Sequence, residues 1–510
     1  MELKKLVRYE DFGAVGDGKT DDFDALARAH AYANKNGLDV VADGSKTYYI
    51  GKTEKCNPKP AINIKTNVDF GTATFIIDDS EIECDMPRGS VFHVDRDTEP
   101  VVYNIENDTP NGAIARINAE GGFPADIEKI DLGLGYDAMV VVVDETHHTY
   151  VRYGVNANAG SAQSEIINVD KNGNIDPATT FLHGYSMVTS LRVLKADKPI
   201  TLTGGTFITI ANRTLEGGGY YSRGIYITRA NVTFRGLTYK IEGEGEHGNP
   251  YSGFLTFHES SNIVVEKCTL QAHKTYFNIK ANGARVGMGT YGLSMGSSNN
   301  LLFKDCVQSN FFEDDGVTPR RGVWGIQGSN RSKNIVYENS ILSRFDAHIG
   351  VRNANIKNSS LQSFRIIGGG DITIENCHVY STLLCGLRED YGSTWRGNVI
   401  VKDVTLHNAK TPAAFMYALW ANHNFGYQTY MPETIIIDNL RITQGDEIHM
   451  FTAPFVEQSR KIMNDEIDGA PNLNKMIAPK KVIVRNNRQG LKFILPDSDF
   501  FKDTEFIFED

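Results

Sequence analysis

Three copies of one phrase decide how this chain is read: Asn334-Ile-Val-Tyr-Glu-Asn-Ser-Ile-Leu342, Asn353-Ala-Asn-Ile-Lys-Asn-Ser-Ser-Leu361 and Asp371-Ile-Thr-Ile-Glu-Asn-Cys-His-Val379. Aligned on Asn339, Asn358 and Asn376, they repeat at close to ~20 residues, the period of a solenoid in which each turn buries its apolar face only against its neighbours. Within each phrase apolar and polar residues alternate, as in a strand with one buried face. The Asn that follows suits a turn, because its short amide tolerates left-handed dihedrals.

Looser copies lie on both sides. Upstream are Asn231-Val-Thr-Phe-Arg-Gly-Leu237, Asn262-Ile-Val-Val-Glu-Lys-Cys268 and Asn300-Leu-Leu-Phe-Lys-Asp-Cys306; downstream are Asn398-Val-Ile-Val-Lys-Asp-Val404 and Glu433-Thr-Ile-Ile-Ile-Asp-Asn-Leu440. The position after the turn reads Leu237, Cys268, Cys306, Ser340, Ser359, Cys377, Val404, Leu440, small or apolar throughout, as a stacked interior column requires. The expectation is an all-β chain, a right-handed parallel β-helix of at least eight rungs.

A chain of 510 residues is long for one compact core, but a solenoid grows by adding rungs. The net charge of -11 argues against nucleic acid, which needs clustered Lys and Arg. Three of the six Cys sit in the interior column and read as small buried hydrophobes, not disulfides or metal ligands. No run of membrane length is present, and Met1–Glu10 has no apolar stretch of signal-peptide length. That leaves a cytoplasmic protein, export without a cleaved leader, or a secreted or surface chain already trimmed of one.

The opening, Glu10-Asp-Phe-Gly-Ala-Val-Gly-Asp-Gly-Lys-Thr-Asp-Asp22, precedes a helix expected from about Asp22 to Asn36, stopped by Gly37. This segment resembles the N-terminal signature of the pectate-lyase-like superfamily of β-helix proteins, which includes polygalacturonase-related glycoside hydrolases and phage tailspikes. The resemblance implies a cap that closes one end of the helix, with catalytic groups elsewhere. The Asn-Thr-Asp, Gly-His-Gly and Arg-Ile-Lys motifs of polygalacturonases are missing, and the calcium-binding carboxylates of pectate lyases are not recognisable. No residue's role therefore carries over.

Four segments follow: residues 1–95 as cap and first rungs, 96–198 as an inserted small β-domain, 199–443 as the main β-helix, and 444–510 as a covering tail. The insert suits ligand binding, packing, or contact with another copy in a dimer or trimer. A second strand precedes each Asn phrase, and these strands are expected to stack into one sheet. Loops at 271–290, 308–321, 388–397 and 420–432 would wall that sheet into a groove for a polysaccharide or oligosaccharide.

The groove candidates are ionisable and aromatic. Glycoside hydrolysis needs two carboxylates across the scissile bond, and Asp314, Asp315, Asp346, Glu389 and Asp390 could supply them. Arg352, Arg365 and Arg388 would bind hydroxyls or an acidic group. Trp324, Trp395 and Tyr391, with Trp420, Tyr427 and Tyr430, would stack on sugar rings. The alternative is a polysaccharide lyase in which His348 or an Arg takes a proton beside a uronate carboxylate and Tyr391 protonates the leaving oxygen. A third reading is a non-catalytic glycan-binding spike. No cofactor is expected, apart from a divalent cation if the chemistry is a lyase's.

Overall fold

A computed structural model describes residues 6–51, 61–81, 89–106, 109, 112–152, 159–214, 219–279, 285–323, 329–388, 391–418, 425–452 and 476–509. The repeated phrase becomes one long parallel sheet. Its register aligns Val232, Ile263, Leu301, Ile335, Ala354, Ile372, Val399 and Ile435, so all eight copies stack in phase. Val482 and Phe506 continue the column, which carries the solenoid past residue 443 into the expected tail. Residues of this parity point inward because side chains alternate across a strand. An aromatic file, Phe257, Phe303, Tyr337, Phe345 and Phe364, fills the interior with successive ring centroids 5.0–6.1 Å apart.

The turn asparagines stack as a ladder. Asn376 Nδ2 donates to Asn358 Oδ1 at 2.9 Å, Asn358 to Asn339 at 3.0 Å, and Asn339 to Asp305 at 3.1 Å. Each of these four residues has a φ between 49° and 53°, the left-handed region that Asn and Asp tolerate best. The Asn that opens each phrase forms a second ladder, not anticipated from the sequence. Asn334 donates to Asn300 at 2.8 Å, Asn300 to Asn262 at 3.1 Å, and Asn262 to Asn231 at 3.0 Å. The column after the turn is buried from Leu237 to Leu440, and Cys268, Cys306, Cys377 and Cys385 are free thiols within the core. Burial pushes the Cys377 thiol up to about 11, which keeps it protonated and inert. Cys56 and Cys84 lie outside the described residues.

The second strands do not form one sheet. They form two of six strands each on the same face. The first runs from Ile62–Ile64 to Ser329–Asn330, and the second from Arg344–Asp346 to Lys492–Ile494. The last strand of the first bridges from Asn330 to Ile349, which lies outside the strands of the second. The reason is a change of rung length: stacked ladder asparagines are 34 residues apart at Asn300–Asn334 but 19 apart at Asn339–Asn358. The shorter rung places its strand at Arg344–Asp346, and the expected floor strand His348–Arg352 becomes a turn followed by a long-sheet strand, Val351–Lys357.

At the N-terminus the helix Phe23–Asn36 stops at Gly37, whose φ is 63°. Asp22 does not cap it; its carboxylate accepts from the Val15 and Gly16 amides at 2.7 and 3.1 Å. Asp21 Oδ1 takes the Phe23 amide instead. Between Val101 and Lys195 lies a four-stranded antiparallel sheet with its own apolar core. One of its anchors to the β-helix is an ion pair with both side chains almost wholly buried. Lys333 Nζ lies 2.8 Å from Glu165 Oε2 and donates to the Thr179 and Thr180 carbonyls, while Glu165 also accepts the Leu182 and His183 amides.

Candidate functional site

The turn from long rungs to short ones concentrates charge on the outer face. Asp346 ends the first strand of the second face sheet with its side chain fully buried, yet Phe345 beside it points into the core. The Asp346 carboxylate lies instead under a roof of cations. Arg344 Nε and Nη2 donate to Oδ2 at 3.0 and 2.6 Å, and Arg388 Nη1 donates to Oδ1 at 2.8 Å and Oδ2 at 3.1 Å. His348 Nε2 lies 3.3 Å from Oδ2. Burial alone would raise this carboxyl, but the His348 hydrogen bond and the two guanidiniums outweigh it and hold Asp346 well below the usual carboxylate range.

An ionised Asp346 only accepts hydrogen bonds. His348 therefore presents Nε2–H to it. Arg344, Arg388 and His348 keep 13%, 14% and 18% of their side chains exposed, so the cluster meets solvent through its bases, not through its acid. Arg365, half-buried, stands one rung on, in register with Asp346. Two tyrosines close the upstream side: the Tyr291 ring lies edge-on to His348 at 6.2 Å, and Tyr220 stacks on Tyr291 at 5.7 Å. On the downstream side Tyr391 carries Arg388 over its ring at 5.9 Å and Arg152 at 5.5 Å. Arg152 follows the long insert strand Ala138–Thr149, so the insert reaches the rim of this site. Tyr427 donates its hydroxyl to the Tyr391 carbonyl.

Asp346, His348, Arg365, Arg388 and Tyr391 are thus brought together as the sequence suggests. Other candidates fall elsewhere. Trp395 is fully buried in a long-sheet strand, and its indole N–H donates to the Gly370 carbonyl at 3.0 Å; it is core and has no face to offer a sugar. Arg352 also lies in a long-sheet strand, Val351–Lys357, and donates to the Phe181 carbonyl of the insert, away from the face. Asp315 builds a surface turn, accepting from the Val317 and Thr318 amides and the Thr318 hydroxyl, and these bonds lower its pKa. Asp314 beside it is fully exposed, within reach of Arg320 of the same loop. Glu389, Asp390, Trp324 and Trp420 lie outside the described residues. Arg344, Tyr291 and Tyr220 were missed. Arg344 was within reach, since it shares the parity of Asp346 on one strand; the tyrosines were not, because they come from rungs far away in sequence.

Among the described residues no group of three or more His, Cys, Asp or Glu is placed to hold a metal ion, and no helix is long and apolar enough to cross a membrane. By sequence, no protein-family model and no curated protein matches the chain. By structure it is similar to the tailspike gp61 of Pseudomonas phage phi297, at 11% identity over 99% of this chain and 84% of that one, with a TM-score of 0.51. It is similar also to the tailspike gp49 of Pseudomonas phage LKA1, at 11% identity over 98% and 84%, with a TM-score of 0.46. The stacked register and the likeness to gp61 agree on the architecture: the chain is a right-handed parallel β-helix.

Proposed function

We propose that the protein binds an acidic polysaccharide or oligosaccharide across the Asp346 face and cleaves it by β-elimination. The observation that carries this reading is the Asp346–His348 pair held under Arg344 and Arg388, with Arg365 one rung away. A face with three arginines and one ionised, covered carboxylate suits an anionic sugar.

Elimination needs positive charge on a uronate carboxylate, a base for the adjacent C–H, and a proton for the leaving oxygen. Arg365 and Arg388 supply the charge. His348 Nδ1, oriented by Asp346, takes the C5 proton. The electron pair released forms the C4–C5 double bond as the C4–O bond breaks, and the departing oxygen takes its proton from a tyrosine, Tyr291 being the one packed against His348. Hydrolysis, the first expectation from the sequence, would need a protonated carboxyl, and Asp346 is held ionised. That chemistry would fall to Glu389 or Asp390, which follow Arg388 in the sequence.

The test is digestion of a panel of uronate-containing and neutral glycans by the wild type and by His348→Ala and Arg365→Ala. Cleavage confined to uronate glycans, with rising absorbance from an unsaturated product and about 100-fold loss in His348→Ala, is the expected result. New reducing ends without that absorbance, or full activity in His348→Ala, would overturn it.

A further inference from the structure

A wide cavity opens away from the Asp346 face. It is a cleft of ≈1030 Å³ between the insert and the long sheet, walled on one side by Phe181 and Leu182 and on the other by Arg352, Gly370 and Arg396. The long-sheet register sets Arg352 opposite Gly369, and Gly369 opposite Arg396. Two arginines thus flank a residue with no side chain. That residue cannot be larger, since a Cβ on Gly369 would fall 2.6 Å from Leu182 Cδ1 and 2.5 Å from the Arg396 carbonyl. The register also slips between Arg352 and Ala354, a bulge that widens the strand edge here.

Among the described residues neither arginine has a carboxylate at ion-pair distance, and Glu165 and Asp371 act on Arg352 from farther off. Among the same residues Arg352 makes a long bond from Nη1 to the Phe181 carbonyl, 3.4 Å, and its buried Nε has no partner. Arg396 is exposed and lies over the Tyr430 ring at 5.7 Å. Burial lowers the Arg352 pKa most, and Arg396 lowers it further against the opposing pull of Glu165 and Asp371. Two guanidiniums that line one cleft make it a place for an anion. Glu433, on the cleft wall, is already paired with Lys480. Asp126 and Glu128 also line the cleft and are exposed, so they can accept hydroxyl hydrogen bonds.

We propose that this cleft is a second saccharide site, which takes a sugar bearing a carboxylate between Arg352 and Arg396. The guanidiniums would clamp the carboxylate, Phe181 and Leu182 would cover the apolar side of the ring, and the rim carboxylates would accept from its hydroxyls. The volume holds a short oligosaccharide, not a single ion. The site is independent of the cleavage reading, because it lies on the long sheet and shares no residue with the Asp346 cluster.

The test uses sugars that the protein cannot cleave. Saturation-transfer NMR is run with D-glucuronate and N-acetylneuraminate at millimolar concentration, with glucose as neutral control, on the wild type, Arg396→Ala and Lys402→Ala, a lysine outside both sites. Arg396 is exposed, so its removal leaves the fold intact, and thermal unfolding checks this. The expected result is transfer to an acidic sugar but not to glucose, weakened about two-fold or more in Arg396→Ala, any remainder coming from the Asp346 face, and unchanged in Lys402→Ala. No transfer to either acidic sugar, or transfer in Arg396→Ala equal to that of the wild type, would overturn the proposal. Failure of glycan cleavage would leave this result untouched.

Discussion

Asp346 is the residue on which the site is balanced. A carboxylate buried under two guanidiniums and an imidazole is costly to desolvate and costly to disturb. Asp346→Asn would leave Arg344 and Arg388 facing one another without their counter-charge, and a loss of about 3 kcal/mol of stability is expected, read by thermal or chemical unfolding. The pH dependence has a definite sign. Because the folded carboxyl lies below its unfolded value, its contribution is fully present above about pH 4 and is lost as pH falls from there. The stability gap between wild type and Asp346→Asn should therefore shrink on acidification below about pH 4; a gap that widens would show that Asp346 is not held as described. Much at this scale was legible in the sequence, since Asp346 and His348 share one rung and Arg388 follows two rungs on. Trp395 was misread, although its parity with Val399 and Val401 marks it as inward-pointing. Asp314 and Asp315 read as catalytic candidates, although Asp315 followed three residues later by Thr318 is a self-bonding turn.

At the scale of elements, the two asparagine ladders set the pitch of the coil. Asn358 both occupies a left-handed turn and carries the hydrogen bond from Asn376 on to Asn339. Asn358→Ala should cost about 2 kcal/mol, from the left-handed conformation and the broken ladder, and Asn358→Gly should cost less because only the ladder is lost. Comparable melting temperatures for the two variants would refute the conformational part. The insert is held by the Lys333–Glu165 pair, so Lys333→Met should strand a buried carboxylate at a cost of about 3 kcal/mol. The double variant Lys333→Met with Glu165→Leu should recover part of that loss, and limited proteolysis between residues 96 and 198 would report both. The strand phrase made the long sheet readable rung by rung. The division of the outer face into two sheets was not readable, because it depends on where along each rung a short strand forms. That position is fixed by rung length and by packing against neighbours, not by local pattern.

For the whole molecule, the fold divides labour between a rigid coil and what hangs on it. The coil delivers Arg344, Asp346, His348, Arg365 and Arg388 to one face, and the insert adds Arg152 at the rim and closes the cleft over Arg352 and Arg396. The coil was legible because its signal recurs eight times over in the sequence. The insert's contribution was not, because its contacts join residues more than a hundred positions apart, such as Glu165 with Lys333. The central claim is that the face at Asp346 is a base-bearing, cationic site for an acidic glycan. It is tested most directly by the mass of the smallest product from a uronate glycan digested by the wild type. Elimination yields a fragment one water lighter than its hydrolytic counterpart, and this fragment should vanish in His348→Ala; a limit product carrying the full mass of added water would contradict the account.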